Sequence, residues 1–297
     1  RVRTPALSDD GTEIGFFARP CAAGGCRYHM EVEEVGATTA RSILDGITSV
    51  YPGLRWSPDR RNLLAWVTID GRFGRYLVSA STGTARYLTP GAAEFYAGGD
   101  SLLVGPRFRA DSVFWVRVMS LDGVVHDSFA IVHEGTALAE LTAIPGSPFL
   151  VTQIYLPDGG HLWQVVNRHG KILSESNHLV PGSNRLIIPQ AASSDAVWLG
   201  ANSRSPGAIL RAGVDRSGHF AEQADTVGFG TFTSFSVTAD GSALALDEGT
   251  YEFSSWAVSL ADALKGQFPE SKRLLRATSP IGAYISPDGA RLLVRRV

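Results

Sequence analysis

The sequence predicts an all-β chain folded as a β-propeller, a ring of four-stranded antiparallel blades. Three observations carry this prediction: a recurring turn motif, a second glycine landmark at a matching interval, and sparse helix signals. The turn motif is an apolar stretch, then Ser-Pro-Asp-Gly or a worn copy, then a second apolar stretch. Its clearest copies are Leu7-Ser8-Asp9-Asp10-Gly11, Trp56-Ser57-Pro58-Asp59, Val237-Thr238-Ala239-Asp240-Gly241 and Ile285-Ser286-Pro287-Asp288-Gly289. Ser57 to Thr238 spans 181 residues, close to four periods, and Thr238 to Ser286 spans 48. A fixed period in the forties marks one supersecondary unit used repeatedly.

The glycine landmark lies later in each unit, where an alternating segment runs into a Gly turn. Its copies end at Gly36, Gly83, Gly123, Gly170, Gly218 and Gly266, with spacings of 47, 40, 47, 48 and 48. Period-two alternation marks strands with one buried face. Seven Asp-Gly pairs supply turn residues that accept positive φ. Each unit therefore reads as strands A to D, with the Ser-Pro-Asp-Gly turn between A and B and the Gly turn between C and D. Units of that length and strand count are propeller blades. The units fall at about 4–46, 47–91, 92–135, 136–182, 183–230 and 231–278, with a partial unit at 279–297, all in one domain. Units three to five lack the proline motif but keep Gly98-Gly99-Asp100, Pro145-Gly146-Ser147 and Ser193-Ser194-Asp195 at that place. The best helix signal is one turn at Leu260–Leu264.

Closure is expected to involve seven blades, the last completed by sequence upstream of Arg1 in a longer chain. Six blades with an appended hairpin is the alternative. An open edge is an aggregation risk, which is why the ends are expected to pair.

A chain of 297 residues with net charge −2 has an ample core and no bulk attraction to nucleic acid or anionic lipid. No apolar run approaches the roughly 20 residues of a membrane helix. The only cysteines, Cys21 and Cys26, flank Ala-Ala-Gly-Gly between two strand-like segments. A small disulfide-closed hairpin is expected there, which points to an oxidising compartment outside the cytoplasm. Two free thiols, or a metal site with His29, are the other readings. A structural zinc site wants four ligands, and no second cluster is visible.

Trp56-Ser57-Pro58-Asp59 and Ile285-Ser286-Pro287-Asp288-Gly289, each followed by an apolar strand, resemble the TolB-type propeller repeat. The likeness runs the whole chain, strongest at both ends. Arg60 stands where that repeat expects Gly. The end of the chain, Arg273 to Gly289, is also similar to propellers that terminate some bacterial membrane-bound serine/threonine kinases. The resemblance implies mostly non-catalytic sensing or docking, and sometimes a gating domain for a peptidase. Fold analogy alone does not assign function.

A search for chemistry yields no catalytic residues, no cofactor motif and no metal site. Gly-x-Ser-x-Gly, the phosphate loop, His-Glu-x-x-His and the dinucleotide fingerprint are missing. The seven histidines are scattered, and His126, His169 and His219 fall near C–D turns. The Asp of each Ser-Pro-Asp-Gly is expected to bond the backbone of its own turn. The outer-strand aromatics Tyr28, Tyr76, Trp115, Trp163 and Trp256 are expected to pack between blades. A sharper expectation concerns the B–C loops. They present Arg72, Phe73 and Arg75 in unit two, and Arg107, Phe108 and Arg109 in unit three, as partner-binding residues on one face. Arginine with aromatics is the composition of interface hot spots. Unit six offers Asp247, Glu248 and Glu252 across the ring, which polarises that face.

The expected function is a non-catalytic, extracytoplasmic protein-binding propeller in a membrane-associated assembly, tethered through other sequence or a membrane-anchored partner. One alternative is the sensor domain of a membrane-bound bacterial kinase. Another is a lactonase-, glycosidase- or lyase-type enzyme with a site in the central channel, using Asp45, Glu94, His133, Glu134 or Glu140.

Overall fold

The computed structural model describes residues 2–19, 21–22, 25–96, 100–105, 113–132, 137–157, 160–177, 179, 187–201, 207–230, 232–248, 253–257, 272–277, 281–285 and 292–296. These residues form antiparallel strands in chain order, as the alternation predicts. The first unit contains β1 (Val2–Leu7), β2 (Glu13–Ala18), β5 (Tyr28–Glu34) and β6 (Arg41–Val50), with β3 (Cys21–Ala22) and β4 (Gly25–Cys26) as a small side hairpin. The second contains β7 (Arg55–Trp56), β8 (Asn62–Ile69), β9 (Arg72–Ser79) and β10 (Ala85–Thr89). The long β6 also pairs with β8, joining these two units into one sheet.

Three separate four-stranded sheets follow. They are β11 (Ala93–Tyr96) to β14 (Val125–Val132), through β12 (Ser101–Val104) and β13 (Val113–Ser120); β15 (Ala137–Ala143) to β18 (Ile172–Ser176), through β16 (Phe149–Tyr155) and β17 (His161–Asn167); and β19 (Ile187–Ser193) to β22 (Asp225–Gly230), through β20 (Ala196–Ala201) and β21 (Gly207–Gly213). Three hairpins complete the described chain: β23 (Phe232–Val237) with β24 (Leu244–Glu248), β25 (Phe253–Ala257) with β26 (Lys272–Ala277), and β27 (Ile281–Ile285) with β28 (Leu292–Arg296). The segment Leu260–Leu264, expected as one helical turn, lies outside the described residues.

Apolar side chains collect between consecutive sheets. Phe17 and Met30 of the first unit pack with Leu63 and Val78 of the second. Leu64 and Leu77 meet Phe95 and Leu102, and Phe114 and Ile131 meet Leu150 and Ile154. Trp163 and Val165 meet Val197 and Leu199, while Trp198 meets Phe235. Tyr28, Tyr76 and Trp163 are buried as expected, but Trp115 is 52% exposed. Its neighbours Phe114 and Val116 take the buried face of β13, and alternation puts Trp115 on the other side.

The innermost strands meet around an axis. β11 contacts β15, β15 contacts β19, β19 contacts β23, and β23 returns to β1, which also touches β7. The return is stitched by hydrogen bonds. Leu7 N donates to Ser236 Oγ at 2.6 Å, and Ala239 N donates to the Asp9 carbonyl at 3.1 Å. A seventh blade between β23 and β1 would separate them, so this contact runs against the seven-blade expectation. The hairpin β27–β28 lies instead against β25.

The glycine landmark has a tertiary cause beyond the turn. Gly83 has φ +70°, and a Cβ there would stand 1.7 Å from the Ile43 carbonyl of β6. Gly170 has φ +79°, and its Cβ would stand 2.2 Å from the Ala130 carbonyl of β14. These two C–D turns thus lean on the outer strand backbone of the preceding unit, where only a hydrogen fits.

The aspartates of the A–B turns bond their own turns. Asp59 Oδ1 accepts from Ser57 Oγ at 2.6 Å and from Arg61 N at 3.1 Å. Asp10 and Asp240 do the same with Ser8 and Thr12, and with Thr238 and Ser242. These bonds hold both carboxyls down at about 2. Arg60 sits at φ +59°, the conformation for which the repeat uses Gly. Its guanidinium crosses to the first unit and meets Asp10 at 3.1 Å and Thr12 Oγ1 at 2.8 Å.

Candidate functional site: the axial cavity

Among the described residues, six inner strands line one cavity of about 540 Å³. Ala6 and Leu7 come from β1, Arg55 and Trp56 from β7, Glu94 to Tyr96 from β11, Thr142 and Ala143 from β15, Ala191 and Ala192 from β19, and Ser236 and Val237 from β23. Its lining extends into A–B turn residues: Asp9, Pro58, Pro145 to Pro148, and Arg168 from a C–D turn. Inner strands converge on the axis, so consecutive blades bring single residues together that are far apart in sequence. Trp56 Nε1 donates to the Ala6 carbonyl at 2.9 Å and ties the wall across the first two units.

One guanidinium–carboxylate pair, Arg55 with Glu94, lies in the wall, and a second, Arg75 with Glu140, is buried outside its lining. Arg75 Nη2 donates to Glu140 Oε1 at 2.6 Å, while Nη1 donates to the Gly53 carbonyl at 3.1 Å. The Arg75 guanidinium also stacks 4.4 Å from the Trp66 ring. Arg55 Nε, by contrast, stands 3.6 Å from Glu94 Oε2. Its Nη1 donates to the Leu54 carbonyl at 3.2 Å. Glu94 Oε1 accepts from Phe95 N at 3.0 Å. Burial pushes Glu94 above the usual carboxylate range, against the pull of Arg55, and it lowers Arg55 as well. Asp9 is also raised, by burial and then by the neighbouring Asp10 charge. Thr142 Oγ1 is buried without a hydrogen-bond partner beside the cavity.

Only part of the expected docking face survives this geometry. The B–C connection of the second unit is the two-residue turn Asp70-Gly71, with φ +50° and +76°, so strand pairing already begins at Ile69↔Arg72. Arg72 is exposed and its guanidinium lies 3.3 Å over the Tyr87 ring. Phe73 is half-buried against Tyr51 and Trp66, with centroids at 5.0 and 5.7 Å. Arg75 is corrected outright: it is 3% exposed, its guanidinium held inside by Glu140 and the Gly53 carbonyl. Arg107, Phe108 and Arg109 lie outside the described residues, as do His133, Glu134 and Glu252. Asp247 turns inward too, accepting from Ser234 N at 2.7 Å and Thr4 N at 3.4 Å.

Of the carboxylates expected at the channel, Glu94 and Glu140 lie on inner strands, and Asp45 does not. It is exposed on β6, the outer strand of its unit, which runs straight through the Asp45-Gly46 pair. Arg55 went unnoticed in the sequence. The signal was a charged residue inside an inner strand, immediately before Trp56-Ser57-Pro58-Asp59. Among the described residues no group of three or more His, Cys, Asp or Glu side chains could hold a metal ion. The wall offers guanidiniums, hydroxyls and burial-raised carboxyls, which suit recognition of a polar group on an apolar body.

Repeated four-stranded units around a lined axis define a β-propeller with a central cavity. No protein-family model and no curated protein sequence matches the chain. Solved structures do match it. TolB from Acinetobacter baumannii aligns at TM-score 0.52 and 14% identity, covering 76% of this chain and 56% of that one. The TolB structure from Agrobacterium tumefaciens aligns at 0.53 and 16%, covering 77% and 81%. Prolyl oligopeptidase B from Galerina marginata, bound to a 25mer macrocyclization substrate, aligns at 0.50 and 13%, covering 88% of this chain and 37% of the enzyme. At such identities the likeness is one of fold, and the chain has a TolB-like propeller fold.

Proposed function

We propose that this chain is a non-catalytic protein-binding propeller that docks a segment of a partner at the mouth of its axial cavity. The carrying observation is that cavity, lined by six inner strands and bordered by Asp9, Pro58, Pro145, Ser147 and Arg168. The ring is read as six blades, with β25–β26 completing the sixth beside β24 and β27–β28 standing outside it. Leu244 and Leu246 of β24 are 39% and 41% exposed, an apolar edge that β25–β26 would cover.

The setting is read as extracytoplasmic, in a membrane-associated assembly. Cys21 and Cys26 face each other in register across β3–β4. Directly opposed antiparallel residues stand about 4.5–5.5 Å apart at Cα, within the span a disulfide needs. No helix among the described residues is long and apolar enough to cross a membrane, so attachment runs through a partner or through sequence beyond this chain. Thiol titration of the unfolded, unreduced protein is expected to find no free thiol. Two free thiols remove the support for an oxidising compartment.

The test is gentle extraction of native membranes with the tagged protein, followed by mass spectrometry of what co-migrates. It is run beside Ser147→Arg at the cavity mouth and Arg72→Glu on the opposite face. A defined membrane protein held by the parent and by Arg72→Glu, but lost with Ser147→Arg, supports the reading. Loss with Arg72→Glu alone moves docking to the B–C face, and a parent that carries no protein overturns it.

A further inference from the structure

We infer that Arg55 anchors a carboxylate-binding site inside the axial cavity, and that its ligand is a carboxylate carried on a largely apolar stem. This rests on the reading of the cavity as the binding site and names the chemistry it selects. The two buried pairs supply the contrast. Arg75 has a short ion pair with Glu140 at 2.6 Å, a bond to the Gly53 carbonyl and the Trp66 ring beside it, with only its buried Nε left without a partner. Arg55 is held less closely: Glu94 stands at 3.6 Å, beyond the roughly 2.7–2.9 Å of a charge-assisted hydrogen bond. A guanidinium carries five N–H donors in a planar fork that matches a carboxylate in bidentate fashion. The hydrogen bond from Nη1 to the Leu54 carbonyl leaves most of that fork unused. The Arg55 side chain is 18% exposed and lines the cavity.

The surroundings favour an anion. Burial works against the Arg55 charge, and a loosely held Glu94 leaves that cost only partly offset. The wall's own carboxyls, Glu94 and Asp9, are both driven by burial towards their neutral forms. Arg168 adds a second guanidinium at the mouth. Leu7, Phe95, Ile144 and Val237 give the wall apolar surface, beside hydroxyls from Thr142, Ser147 and Ser236. A volume of about 540 Å³ lies within the roughly 300–1,000 Å³ of ligand pockets. A carboxylate of this kind comes either from the carboxy-terminus of a polypeptide or from a free small acid. Glu94 is then the internal competitor that the ligand displaces from Arg55.

Calorimetric titration of the whole chain tests this with three probes: N-acetyl-Ala-Ala-Leu-Phe with a free carboxyl, the same peptide as its carboxamide, and 3-phenylpropionate. The free acid is expected to bind the parent at least about tenfold more tightly than the amide. Arg55→Gln should abolish that preference, and Glu94→Gln, which removes the competitor, should raise acid affinity. Should 3-phenylpropionate bind as tightly as the peptide acid, the source is a free small acid. Should it bind about tenfold more weakly or worse, the source is a chain terminus. Equal binding of acid and amide, no acid binding at millimolar concentration, or a preference that survives Arg55→Gln overturns the inference. If Arg55→Gln does not fold, Glu94→Gln decides alone, and unchanged or weaker acid binding overturns it. Membrane-partner capture that persists without acid preference sinks the carboxylate site and spares the docking reading. Acid preference without any partner does the reverse.

Discussion

Arg75 and Glu140 form an ion pair whose contribution can be separated from its parts. Arg75 belongs to the second unit and Glu140 to the fourth, and their side chains are 3% and 10% exposed at a separation of 2.6 Å. Exposed pairs contribute about 0–1 kcal/mol, but truncating one partner of a buried pair costs about 3–5 kcal/mol, because a charge is left without compensation. Glu140→Leu is therefore expected to lose about 3–5 kcal/mol, since a guanidinium cannot shed its proton. Arg75→Met also forfeits the Gly53 hydrogen bond, about 1 kcal/mol, and the Trp66 contact. The double variant, apolar on both sides, should cost far less than the sum, giving a coupling of about 3 kcal/mol. Equilibrium denaturation in urea of the parent, both single variants and the double variant reads this directly. Additivity within about 0.5 kcal/mol, or single variants as stable as the parent, would refute the argument.

Other expectations follow from single contacts. Gly170→Ala must fit a Cβ 2.2 Å from the Ala130 carbonyl at φ +79°. It should cost at least about 2 kcal/mol in a denaturant midpoint measurement, far more than Gly146→Ala, whose Cβ meets nothing within 4 Å. Arg60→Gly relieves a strained φ and gives up an exposed pair, so its stability should stay within about 1 kcal/mol of the parent. Arg60→Val, β-branched at φ +59°, should fall about 1–2 kcal/mol below the glycine variant. The carboxyls of Asp10, Asp215 and Asp240 are lowered to about 2. The stability they confer is present above the ordinary carboxylate value near about 4. It is lost as pH falls through about 2. Asp240→Asn should therefore melt below the parent at pH 6 and converge with it near pH 2. A constant gap across that range would contradict the hydrogen-bonded turn.

The strands were legible in the sequence because alternation and turn chemistry are local. Tyr28, Met30 and Val32 alternate along β5 and are all buried. Asp10, Asp59 and Asp240 cap their own turns, as side-chain chemistry within four residues requires. The expected docking loop was misread for a related reason. Asp70-Gly71 reads as a hairpin turn, but its length decides where pairing resumes, and pairing decides which way Arg75 points.

By itself the sequence determined an all-β repeat, its period, its strand order and its turn residues. The forces behind these act between residues close in the chain. Only the tertiary structure decided that β23 lies against β1, that Gly83 and Gly170 lean on the preceding unit, and that Arg55, Glu94 and Ser236 share one cavity. Those contacts join residues from 39 positions apart (Arg55 and Glu94) to 229 (Leu7 and Ser236), and no local periodicity records them. They arise because inner strands converge on a common axis, so the cavity is a property of the closed ring.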